Sequence, residues 1–196
     1  MRIFFILISV LNLNGQQNYI DYLSPYHPVV SKSGMVVSQN NLSSDIGIEI
    51  LNKGGNAVDA AVAVGFSLAI TLPRAGNLGG GGFMLVYLKE KDEIFYIDYR
   101  SKSPLNSTID NIFDLNGKKI KPKDFTNDMF NKTRYGYKAS AIPGTVAGLL
   151  EAHENFGSLP LEDVLAPAIR QARNGIKVSY DLEKVIENTH QLKKDP

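Results

Sequence analysis

Few side chains in this sequence are placed to do chemistry, and the first of them is Arg100. It follows the run "IFYIDY" and precedes "SKSP", so its planar guanidinium projects from the end of a strand. A rigid support of that kind suits a two-pronged grip on a carboxylate. The competing reading is a surface ion pair with Asp98, and on spacing alone that is the commoner outcome. His27 lies between prolines, His153 beside glutamates, and His190 near the end. No His-x-x-Glu-His spacing links them, so each reads as a packing or surface residue and no metal site is expected. A Gly-x-Ser-x-Gly elbow is absent. Asp45, Asp59 and Asp98 sit in apolar stretches with no partner carboxylate at a fixed spacing. From the residues alone, no complete catalytic set assembles.

The glycines Gly79 to Gly82, in "AGNLGGGGFMLVYL", raise a second question. A P-loop needs Gly-Lys-Ser/Thr after its spacer, and here Gly81-Gly82-Phe83 stands instead. A dinucleotide fingerprint follows a strand and opens a helix; this run does the reverse. Nucleotide binding fails on context. The run is expected where a buried helix meets a strand, with side chains excluded by close packing.

The elements that position these residues follow from periodicity. "GMVVSQ" (34–39) reads as a short strand. From Asn41, the residues Leu42, Ile46 and Ile50 recur at helical steps, and Lys53-Gly54-Gly55 ends the helix. Asn56 caps a second helix with Asp59 at its third position. That helix, "AVDAAVAVGFSLAI", is apolar on nearly every side, so it reads as a core helix. Its small residues are expected to let it lie close against a sheet. Thr71, Leu72 and Pro73 end it. "FMLVYL" (83–88) and "IFYID" (94–98) form a hairpin around "KEKDE", and their continuous apolarity predicts a sheet covered on both faces. Residues 101–140 read as polar and irregular. Three helices follow: one from Thr145, its expected cap, to the stop at Gly157; one with Pro160 in its first turn and Pro167 within; and a third over "VSYDLEKVIENTHQL".

Apolar content of 43%, charged content of 21% and a net charge of +1 are those of a soluble globular protein. They offer no reason to expect nucleic acid or an anionic membrane as partner. With no cysteine, disulfides and zinc fingers are excluded. Arg2 followed by the apolar run Ile3 to Val10, extending to Leu13, has the order and size of a signal peptide over 1–17 and is too short to span a bilayer. Export to a periplasmic or extracellular space is expected, with no membrane contact once the signal is removed.

"HPV" (27–29), "GMV" (34–36), residues 50–86, "IDYRSKSP" (97–104) and residues 143–178 occur in that order. The series resembles the N-terminal, large-subunit part of γ-glutamyltransferases, the glutathione-cleaving members of the N-terminal-nucleophile hydrolases. The resemblance implies an α/β fold, part of a four-layer αββα sandwich over residues 18–196, made as a precursor that cuts itself in two. It implies a γ-glutamyl amide attacked by the N-terminal threonine of the small subunit, without a cofactor. Water, an amino acid or a peptide then takes the glutamyl group. It also implies that Arg100 binds the substrate's α-carboxylate, because the family's Asp-Phe-Arg-x-x-x-Pro segment is matched by Asp98 to Pro104. Thr189-His190 echoes the nucleophile segment, but it lies in a helical pattern before Gln191, Leu192 and a charged tail, and is not taken as the nucleophile. No catalytic residue is therefore assigned here. The expected partners are glutathione and other γ-glutamyl compounds, and a small-subunit half. The alternatives are a cephalosporin acylase-like amidase and a non-catalytic secreted remnant.

Overall fold

The computed structural model describes residues 30–106 and 139–189. The signal reading over 1–17, His27 and His190 lie outside the described residues. Two compact units divide at Ser33 and Gly34. Of the first, residues 30–33 form no helix or strand. The second holds every element below.

Helix α1 (Asn41–Asn52) begins one residue after the side chain of Asn40, whose Oδ1 accepts the Leu42 N–H at 2.9 Å. Its inward face is Ser43, Ile46, Gly47 and Ile50, while Leu42 is exposed; three- and four-residue steps select the face. Helix α2 (Ala57–Thr71) opens with a reciprocal capping box between Asn56 and Asp59. Pro73 ends α2 and then starts a single further turn, α3 (Pro73–Gly76), since proline fits the first helical position. Helices α4 (Thr145–Phe156), α5 (Leu161–Asn174) and α6 (Tyr180–Asn188) complete the set. Gly144 rather than Thr145 stands at the cap of α4, and no side chain caps it.

The core lies where α1, α2, α4 and α5 meet, around Ile50, Val62, Ala63, Ala152 and Val164, all fully buried. Among the described residues α2 lies close against helices α1, α4 and α5, and its apolar side chains share one core cluster with Met84, Val86, Phe95 and Ile97 of the hairpin. Its small residues admit helices: a Cβ on Gly65 would stand 2.8 Å from Leu149 of α4. Buried hydroxyls fasten three of these helices together. Ser43 Oγ lies 2.8 Å from both Ser67 Oγ and Thr71 Oγ1, and Ser67 donates to Gln171 Oε1 at 2.7 Å. With the Ser67 proton committed to Gln171, Ser43 is left to donate to Ser67, and the Thr71 hydroxyl faces two acceptors, Ser43 Oγ at 2.8 Å and the Ser67 carbonyl at 3.3 Å.

Strands β1 (Phe83–Leu88) and β2 (Glu93–Asp98) form an antiparallel hairpin with Phe83 opposite Asp98 and Leu88 opposite Glu93. Met84, Val86, Phe95 and Ile97 turn toward the core. Phe83, Leu85, Tyr87, Ile94 and Tyr96 turn outward and are exposed. The expectation of a sheet covered on both faces is thus wrong for the described residues. Continuous apolarity reports that both faces want cover, not that this stretch of chain provides it. Leu85 and Ile94, each 71% exposed, make this face adhesive. The Leu85→Lys, Ile94→Glu double variant is expected to reduce self-association of the purified chain in sedimentation velocity. Residues 34–39 are not a strand either. Within this segment Val36 packs over Gly47 of α1. Among the described residues no helix is long and apolar enough to cross a membrane.

Candidate functional site

The chain leaves β2 through Tyr99 and Arg100, and backbone pairing holds it on both sides. Tyr99 N–H donates to Gly82 O at 3.1 Å, and Gly82 N–H returns a bond to Tyr99 O at 3.3 Å. Two residues past Arg100, Lys102 exchanges both ladder bonds with Ile142, at 3.1 and 2.8 Å. Between these clamps Asp98 Oδ1 accepts the Arg100 N–H at 2.9 Å, an Asx turn. The carboxylate of Asp98 thus binds the Arg100 backbone. Among the described residues the exposed guanidinium makes no ion pair, so the pair with Asp98 does not form.

Glycines make this approach possible. A Cβ on Gly81 would stand 2.6 Å from Tyr99 O and press on Ser101 N, and one on Gly82 would stand 2.8 Å from the Tyr99 ring. A Cβ on Gly144 would collide with the Tyr99 carbonyl, and one on Gly148 with the Tyr99 Cβ and Cγ. Gly79 and Gly80 are different, with nearest contacts at 3.2 and 3.5 Å. Gly80 serves through its carbonyl, which accepts the N–H groups of Gly144 at 2.8 Å and Thr145 at 3.2 Å. That bond replaces the missing side-chain cap of α4. The glycine run is therefore a bed for residues 99–101 and for the start of α4. Close packing excludes side chains at Gly81 and Gly82, and the segment carrying Arg100 does the excluding.

Tyr99 is half-buried, and burial pushes its phenol above the usual tyrosine range. The Tyr99 ring stays neutral at physiological pH. A cavity of about 150 Å³ lies beside it, lined in part by Gly80, Gly81, Tyr99, Thr145 and Leu149. A larger groove of about 460 Å³ runs between the start of α2 and β1, with Val58, Met84 and Phe156 in its walls. Arg100 lines neither of them.

Helix α4 is also held at its far end. Asn56 Nδ2 donates to Phe156 O at 2.7 Å, and the fully buried Asp59 accepts from the Ser158 hydroxyl at 2.6 Å and the Ser158 N–H at 3.1 Å. His153 Nε2 stands 3.7 Å from Asp59 Oδ1 and 2.9 Å from Leu159 O. Asp59 is thus a latch as well as a cap. Burial pushes its carboxyl up, but the hydrogen bonds from the Ser158 hydroxyl and from the backbone N–H groups of Asn56, Ser158 and Leu159 outweigh burial and hold it below the usual range. Below its ordinary value of about 3.9 the unfolded chain then binds more protons than the native one, so stability falls as pH falls. The contribution is complete above that value and is lost as pH drops through the lower native one. Urea midpoints from pH 7 to pH 3 are expected to converge between wild type and Asp59→Asn.

Asp45 is exposed. Thr189 closes α6, its hydroxyl donating to Val185 O at 2.6 Å, so that hydroxyl has a structural use. Among the described residues no three His, Cys, Asp or Glu side chains come together as a metal site. The residues missed in the sequence are Tyr99, Gly144 and Gly148. Gly144-x-x-x-Gly148 places two glycines on one helical face, which is the signature of close approach, but nothing in the chain pattern names the aromatic partner.

Comparison with known proteins gives this arrangement a class. The Helicobacter pylori γ-glutamyltranspeptidase crystal structure superposes with a TM-score of 0.72 at 36% identity, over 84% of this chain and 44% of that one. The described residues are accordingly a partial α/β fold of the N-terminal-nucleophile hydrolase kind. The glutathione hydrolase proenzyme of Escherichia coli K12 is 44% identical over 154 residues, 79% of this chain and 25% of that protein. The acylase ACY 1 proenzyme of Pseudomonas sp. strain V22 is 38% identical over 177 residues, 90% of this chain and 31% of that protein. The Gamma-glutamyltranspeptidase family model matches residues 43–196. The chain belongs to the γ-glutamyltranspeptidase family. It spans about a quarter to a third of the length of these curated relatives.

Proposed function

We propose that residues 18–196 are the scaffold and carboxylate-binding portion of a γ-glutamyltransferase. The complete enzyme cleaves the γ-glutamyl amide of glutathione and passes the glutamyl group to water, an amino acid or a peptide. The nucleophilic threonine comes from a small-subunit part outside residues 1–196. One observation carries this reading: Arg100 stands on a backbone held from both sides, at the end of a strand, with a guanidinium that no described carboxylate occupies. A fixed fork of N–H donors matches the α-carboxylate of a glutamyl group. On the same reading, residues 1–17 direct export, and the outward sheet face meets the remainder of the enzyme.

An acylase reading is favoured by the 38% identity to acylase ACY 1, and the substrate decides between them. The product of the complete reading frame that contains this chain should be assayed with γ-glutamyl-p-nitroanilide and with its analogue lacking the α-carboxylate. Fast turnover of the first and poor turnover of the second is the expected result, with no turnover of either by residues 1–196 alone. Equal turnover of the two anilides, or activity of residues 1–196 alone, would overturn the proposal.

A further inference from the structure

We propose that Tyr99 is the positioning residue for Arg100, with Gly81, Gly82, Gly144 and Gly148 as the socket that holds it; this rests on the carboxylate-binding role proposed above. The Arg100 side chain is exposed and has no described ion-pair partner to orient it. What the fold fixes is the backbone from which that side chain reaches, and that backbone is set by the residue before it. The Tyr99 ring is flanked by the Cα atoms of Gly82 and Gly148, while its carbonyl meets Gly81 and Gly144, so any Cβ at these four places would displace it. The phenol oxygen contributes little, since the bond it donates among the described residues, to Phe83 O, is 3.5 Å long. The ring's shape does the positioning, and its hydroxyl is dispensable.

Three tertiary ties converge on this socket. Gly80 O holds the first residues of α4, the Gly82–Tyr99 pair holds β1 to the exit of β2, and the Asp59 latch holds the other end of α4. A shift of α4 would move Gly144 and Gly148, and with them Tyr99 and the Arg100 peptide. Misplacement of a binding group by about 1 Å can lower a rate some hundredfold. The effect should fall on substrates whose carboxylate Arg100 grips, and on no others.

The test is a preference ratio: kcat/KM for γ-glutamyl-p-nitroanilide over that for the analogue lacking the α-carboxylate, measured on the product of the complete reading frame. Tyr99→Ala is expected to lower the ratio roughly ten- to a hundredfold, mainly through KM, with the analogue's own kcat/KM little changed. Tyr99→Phe is expected to preserve the ratio. Gly148→Ala should act as Tyr99→Ala does; if it does not fold, Tyr99→Ala and Tyr99→Leu, which open space rather than fill it, carry the test. A merely structural tyrosine would lower yield or penalise both substrates alike, and that result overturns the proposal. If Arg100→Ala collapses the ratio while Tyr99→Ala leaves it intact, positioning by Tyr99 is refuted and the carboxylate role stands. If Arg100→Ala leaves the ratio intact, the carboxylate role falls and the positioning proposal falls with it.

Discussion

Arg100→Ala is expected to lower kcat/KM for a γ-glutamyl anilide about a hundredfold or more in the product of the complete reading frame. The size follows from what a guanidinium fork does. Two parallel charge-assisted hydrogen bonds to a carboxylate contribute about 1.5–3 kcal/mol each, and each 1.4 kcal/mol is about a factor of ten. The fold itself should not suffer, because the guanidinium is exposed and the bond that shapes the turn uses the Arg100 backbone N–H, which alanine retains. Thermal unfolding of Arg100→Ala within about 1 °C of wild type, together with the kinetic loss, is the joint result expected. Arg100→Lys keeps the charge but not the fork, so it should recover only part of the loss. Unchanged kinetics in Arg100→Ala would remove the substrate from this end of the strand.

Asp59→Ala is the stability counterpart, with an expected loss of about 3 kcal/mol. The side chain is fully buried, and it accepts from the Asn56 N–H at 2.9 Å and from both the N–H and the hydroxyl of Ser158. Removing the carboxylate leaves these donors without their acceptor and opens a space between the start of α2 and the end of α4. Ser158 is exposed enough to reach water, which keeps the cost below the sum of the separate bonds. For a chain of this length the loss corresponds to roughly 6–12 °C in melting temperature, read by circular dichroism or calorimetry. Asp59→Asn should lose less, because it keeps the shape and one acceptor oxygen. A change below about 2 °C in Asp59→Ala would show that the buried bonds add nothing net.

The two variants also separate what was legible in the chain from what was not. The capping half of Asp59 could be read, because Asn56 and Asp59 are three residues apart and a helix start is a local event. Its latching half could not, because Ser158 lies 99 residues away and no periodicity relates them. The hairpin and the ends of α2 were readable for the same local reason. The exposed outward sheet face and the helices packed on α2 were not readable, and the strand expected over 34–39 is not found, since each depends on which surface a distant element occupies.

Family membership and the likeness of Asp98–Pro104 to a carboxylate-binding segment were carried by the sequence, because residue order alone defines a motif. Why four glycines precede a strand was decided only in three dimensions. Residues 80–82, 99–101 and 144–148 are far apart along the chain, and only packing brings their backbones into hydrogen-bonding and van der Waals contact. A glycine in sequence says that something must come close; which segment comes close is a property of the folded whole.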